Sequence, residues 1–180
     1  VRTRLGRPLQ AMGKHIFGDT NTDMIRSGNW HGNDTAWRMV LDLNRAILYA
    51  DRSGNLRGPG ARNLFCIVDG IVGGEGNGPL DATPKAAGVV VAGRNPVAVE
   101  LACALVMGFD RMQLPLLCHA LDRNHSAPLL AFGYDEIICK SPVDPAGCPL
   151  SHCDILAMSF RPHFGWRGKI ERNRRQMYPG

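Results

Sequence analysis

Long apolar runs are missing from this chain. The longest, around Val97–Met107, is broken by Glu100, and nothing approaches the roughly 20 residues a membrane-crossing helix needs. No basic-then-apolar leader opens the sequence, which starts on Val1. Close cysteine pairs are missing as well. The six cysteines (66, 103, 118, 139, 148 and 153) are scattered, several of them inside apolar segments, which reads as packed thiols in a reducing cytoplasm. Cys148 and Cys153 lack the C-x2-C spacing of zinc sites and bacterial ferredoxin clusters, so no iron–sulfur cluster is expected. Strong charge of either sign is absent too. The formal excess of +5 falls largely in the last twenty residues and describes a tail, which argues against nucleic acid as a partner.

What is there is ordinary globular material. With 180 residues, 44% hydrophobic and 21% charged, the chain has enough apolar surface for one domain with a core. Trp37, Val40, Leu41, Ile47 and Leu48 recur at helical spacing, with Asn33 or Asp34 placed to cap the start. Residues 51–62, with three glycines and a proline, read as an exposed loop. "NLFCIVD" (63–69) and "AGVVVAG" (87–93) read as buried strands, and "EIICKS" (136–141) and "DILAMSF" (154–160) as two more. Between them, Asn95, Pro96 and Gly108 mark the two ends of a helix. Residues 112–121 extend helically past a proline-marked break, while residues 1–29 carry no clear signal. Apolar strands alternating with helices predict an α/β fold with a mixed, mostly parallel sheet flanked by helices.

The stretch "CIVDGIVGGEGNGP" (66–79) is the most informative. It packs four glycines into six residues around Glu75, with Asp69 just upstream. Read as a loop after a strand, it offers backbone amides from Gly74, Gly76 and Gly78, with Asn77 among them, to an anion. It matches neither the dinucleotide fingerprint nor the Walker loop, because "PLDATPK" follows instead of a helix or Gly-Lys-Ser/Thr. Two acids beside an anion repel it unless a divalent cation such as magnesium or manganese lies between, or the ligand is polyhydroxylated or cationic. The plainer alternative is a compact turn with Glu75 in water. Glu100 stands in the first turns of a helix that is otherwise apolar all round; a pair with Arg94 would make it structural. His31 and Asp34, three apart at a helix start, could exchange a proton or bind a ligand, or could serve only as loop and cap residues.

Residues 67–79, 88–110 and 29–45 together resemble the DUF362 family. The family's strand ending in Asp-Gly, its Glu-Gly-x-Gly-Pro loop and its Asp-Pro-Val-Ala-Asp helix start fall on Asp69, Gly70, Glu75, Gly76, Gly78, Pro79, Pro96, Val97, Ala98 and Glu100. Asn95 and Glu100 replace aspartates common in the family. The resemblance also implies a missing N-terminal portion, and a site shared with it would be incomplete here. Some relatives carry ferredoxin-like cysteines, which this chain lacks but which leave a redox protein as one rival reading; acids that face solvent singly would favour another, a noncatalytic binding module.

The expectation is a cytoplasmic enzyme with an α/β domain over 1–160, the C-terminal portion of a longer family protein, and a basic tail over 161–180. It would bind an anionic or polyhydroxylated small molecule, alone or as a homo-oligomer. Asp69 and Glu75 would hold the cation, Gly74, Gly76, Asn77, Gly78 and Asp34 the ligand, and Glu100 and His31 would serve acid–base roles.

Overall fold

The computed structural model describes residues 6–19, 22–24, 28–58, 62–79, 81–153 and 157–172. Two helices, α1 (Gly6–Phe17) and α2 (Ala36–Tyr49), precede a pair of long strands, β1 (Cys66–Asn77) and β2 (Asp81–Gly93). Helix α3 (Pro96–Met107), a 3-10 turn at Arg111–Gln113, and the short α4 (Pro115–Ala120) follow. A second 3-10 turn (Tyr134–Glu136) leads to β3 (Ile138–Cys139) and β4 (Cys148–Pro149).

The expected mostly parallel sheet does not form. Among the described residues both sheets are two-stranded and antiparallel, β1 with β2 and β3 with β4. The reason lies in the glycine stretch, which continues β1 to Asn77 instead of leaving the strand at Asp69. Only a tight turn at Gly78–Pro79 then separates the strands, far short of the dozen residues a parallel crossover requires. The strands are not buried on both faces either, since Ile67, Ile71, Val72 and Val90 stay exposed. Midway, Ile71 faces both Ala87 and Gly88, and Gly88 takes the left-handed conformation (φ 67°) that such a bulge asks of glycine. Of the later predicted strands, residues 136–141 keep only the two of β3, and 157–160 are not strand; 154–156 lie outside the described residues.

Helix α3 forms as its sequence dictates. Asn95 Oδ1 accepts the Ala98 amide at 3.0 Å, Pro96 opens the first turn, and left-handed Gly108 (φ 79°) closes the last. The same Asn95 donates its Nδ2 to the Leu129 carbonyl at 2.9 Å, tying the helix start to the later chain. Helix α2 starts at Ala36 with Thr35 before it, so neither Asn33 nor Asp34 is the backbone cap.

The main core joins Leu41 of α2, Val97, Leu101 and Ala104 of α3, and Leu117 and Ala120 of α4 to Leu129, Leu130, Ile137 and Leu150. A smaller cluster of Phe109, Phe160 and Ile170, with Met107, Met158 and Trp166 against it, holds residues 157–172 to the end of α3. Backbone bonds fix that attachment: Met158 and Phe160 donate to Val106 and Met107, Arg172 to Gly108, and Asp110 to Ile170. Residues 161–172, the start of the expected tail, therefore lie on the body of the molecule; 173–180 lie outside the described residues.

Candidate functional site

The far half of the hairpin is built to receive the chain segment around Phe160. At Gly73 a side-chain carbon would come within 2.7 Å of the Phe160 ring, so glycine is what lets that ring lie on the strand. Gly76, at φ 79°, donates its amide to the Arg161 carbonyl at 2.7 Å. The glycines serve the protein's own backbone.

Glu75 has the same partner. Its Oε2 accepts the Arg161 amide at 3.0 Å and the Lys85 ammonium at 3.3 Å, while Oε1 lies 3.6 Å from the Arg161 guanidinium. The Arg161 amide first, then the Lys85 and Arg161 charges, hold this carboxyl below the usual glutamate range against the opposing effect of burial. Lys85 also donates to the Ser159 carbonyl and sits 5.2 Å over the Phe160 ring. Glu75, Lys85 and Arg161 thus clamp residues 157–172 onto the hairpin.

Beside the clamp opens a cleft of about 370 Å³, floored by Phe160 and walled by Ser159, Arg161, Arg167, Glu171 and Arg172. Arg161 is oriented by a 2.8 Å bond from its Nη2 to the Thr83 hydroxyl. Glu171 turns its carboxylate onto the amides of Gly168 (2.9 Å) and Ile170 (3.2 Å). Burial pushes that carboxyl up, but the amide bonds from residues 168–171 together outweigh it and keep it below the ordinary value. Arg167, exposed on the wall, makes no ion pair among the described residues. Three arginines line the cleft, Arg161 already engaged by Glu75 and Thr83, and its volume falls within the range of small-molecule sites.

The residues singled out from the sequence are dispersed around this arrangement. Asp69 is exposed on β1, its Oδ1 accepting the Ile71 amide at 3.0 Å. Six residue steps along the strand lead from it to Glu75, which at about 3.3 Å per step is about 20 Å. Glu100 is exposed on α3 and forms no ion pair with Arg94, so the neighbouring protein desolvates its carboxyl only in part and lifts it. Among the described residues no three of His, Cys, Asp and Glu gather as a metal site.

The remaining candidates are committed to neighbours. His31 donates its amide to the Gly165 carbonyl at 2.9 Å and meets the Trp166 ring edge-on at 5.4 Å. Asp34 is taken by the Trp37 indole (3.0 Å) and the Arg38 guanidinium (2.6 Å), which holds its carboxyl low; it does not pair with His31. Asn77 Oδ1 accepts the Phe164 amide at 3.4 Å, and the Gly78 amide returns to Gly76. The cleft residues Arg161, Arg167, Glu171 and Arg172 were hidden in a segment whose basic residues suggested a solvated tail. Their signal was the interleaved Phe160, Phe164 and Trp166, which anchor a chain to a surface.

The site is thus a glycine-studded hairpin clamped by a later segment, next to an arginine-lined cleft. The chain belongs to the DUF362 family, described as a domain of unknown function, whose family model matches residues 12–105. No curated protein and no solved structure matches it. The match begins within α1 and ends within α3, so it covers Asp69, Glu75 and Glu100 but stops short of the arginine wall. Among the described residues no helix is long and apolar enough to cross a membrane.

Proposed function

We propose that this chain binds a small anionic molecule in the cleft between the end of α3 and residues 159–172. The observation that carries the reading is the meeting of Arg161, Arg167 and Arg172 around a cavity of about 370 Å³. Guanidinium groups take phosphate and carboxylate oxygens through paired N–H donors, and such charge-assisted bonds are the strong ones. The hairpin supports the site from behind: Glu75 and Thr83 set the orientation of Arg161, and the glycines let its backbone approach. The divalent cation expected between Asp69 and Glu75 is disfavoured by charge and distance. Glu75 already faces two cationic side chains, and Asp69 lies about 20 Å along the strand.

Calorimetric titration with inorganic phosphate, citrate and a neutral polyol tests the proposal. Phosphate or citrate should bind and the polyol should not, with or without a metal chelator. Arg167→Ala should weaken anion binding about tenfold or more, as expected for losing a bond worth about 1.5–3 kcal/mol to a charged group. Equal affinity of wild type and Arg167→Ala, or no anion binding at millimolar concentration, would overturn the reading. Binding that appears only with magnesium or manganese would restore the cation.

A further inference from the structure

Three of the six cysteines meet at the small sheet. Cys139 of β3 stands directly opposite Cys148 of β4, and Cys148 is joined by a disulfide to Cys153. Directly opposed residues of an antiparallel pair have Cα atoms about 4.5–5.5 Å apart, within the span a disulfide bridges. The register is held from both ends. On one side the Leu150 amide donates to the Ile137 carbonyl at 2.7 Å, and both side chains are buried in the main core. On the other, Asp144 accepts the Gly147 amide at 3.1 Å. Gly147 is left-handed, and any side-chain carbon there would come within 2.9 Å of the Cys139 carbonyl, so the approach of the two strands depends on glycine. Cys139, Cys148 and Cys153 are all half-buried, with Cys139 packed against the core edge.

We propose that Cys139, Cys148 and Cys153 form an intramolecular thiol–disulfide exchange site. The Cys139 thiolate attacks Cys148 Sγ, a Cys139–Cys148 bond forms, the Cys148–Cys153 bond breaks, and Cys153 leaves as a thiolate that takes up the proton Cys139 gave. The step conserves thiols and disulfides and needs no outside oxidant. It moves the covalent link from a local loop onto the strand pair and presents Cys153 as the reactive thiol. Burial first, and then the Asp144 carboxylate, push the Cys139 thiol up, which makes the attack slow at neutral pH. The site is separate from the arginine cleft and does not depend on that proposal.

Trypsin reads the outcome, because Lys140 lies between Cys139 and Cys148. Cleavage after Arg123, Lys140 and Arg167 puts Cys139 on peptide 124–140 and both Cys148 and Cys153 on peptide 141–167, since Arg161 is followed by proline. The folded chain would be incubated with a glutathione redox buffer, blocked with N-ethylmaleimide, digested without reduction and analysed by mass spectrometry. Wild type should give both the internal loop in 141–167 and the cross-linked pair 124–140 with 141–167. Cys153→Ser should give only the cross-linked pair, two thiols being oxidised by one oxidised glutathione, and Cys139→Ser only the internal loop. A Cys153→Ser chain that keeps its circular dichroism yet yields no cross-linked pair would overturn the geometry. A wild type that yields only the internal loop while Cys153→Ser cross-links would overturn the exchange.

Discussion

Glu75 shows how a single residue's surroundings decide its role. In sequence it is an acid among glycines, the pattern of a ligand loop. In the fold the same acid receives a backbone amide 86 residues later and two cationic side chains. Glu75→Ala should cost about 2 kcal/mol, the scale of a lost hydrogen bond to a charged group, read as a lower urea midpoint at unchanged slope. The pH dependence has a definite sign. Because the folded carboxyl is held low, its contribution is complete above the ordinary glutamate value, about 4.3, and is lost as pH falls through the lowered one. Wild type and Glu75→Ala should therefore converge in stability in strong acid. Glu100 has the opposite sign, since desolvation lifts its carboxyl. Its ionised form is disfavoured in the folded protein, so wild-type stability declines as pH rises from the ordinary glutamate value through the raised one. Glu100 is exposed, so solvent screening keeps the effect small: Glu100→Gln should be slightly more stable than wild type at pH 7 and should lose that margin near pH 3, as thermal melts at the two pH values will show.

Among the elements, legibility followed how local the deciding interactions are. Helix α3 was readable because its cap, its proline and its closing glycine act within one turn of the positions they control. The apolar stripe of α2 was readable for the same reason, although its first residue was not. The direction of strand pairing was missed because it depends on whether "GIVGGEGN" is strand or loop. That choice is made by Phe160 and Arg161, more than seventy residues away. Nothing near Gly73 in the chain announces that an aromatic ring will lie on it. Little of the candidate site was legible for the same reason: Glu75 stands out in the sequence, but as a cation ligand, its partner 86 residues on leaves no local sign, and the arginine wall reads as a tail. Asn95 also holds information the family resemblance did not explain. An aspartate there could cap α3 equally well, but it has no donor for the Leu129 carbonyl. Asn95→Asp should cost about 1–3 kcal/mol, the penalty of an unsatisfied partly buried acceptor, measured by chemical denaturation.

For the molecule as a whole, residues 157–172 act as a strap. They run from the end of α3 across the hairpin, and the small cluster of Phe109, Phe160 and Ile170 is the knot. A two-stranded hairpin is marginal by itself in water, and this one leaves Ile67, Ile71, Val72 and Val90 exposed. Removing residues 157–180 should thus strip hydrogen-exchange protection from β1 and β2 while the α3 amides, held by the main core, stay slow. Equal protection in the two strands before and after truncation would show that the hairpin stands without its strap.

The clamp also carries a consequence in time. A ribosome adds about 5–20 residues per second, so the 86 residues between Glu75 and Arg161 represent roughly 4–17 seconds of synthesis. A hairpin closes in about 1–10 microseconds. During the seconds between, Glu75 has Lys85, ten residues along, as its early partner. The bare Gly73 and Gly76 meanwhile wait for Phe160 and Arg161. Lys85 is therefore placed to keep the nascent hairpin in register until Arg161 emerges, and the growing chain is most open to wrong strand partners in that interval.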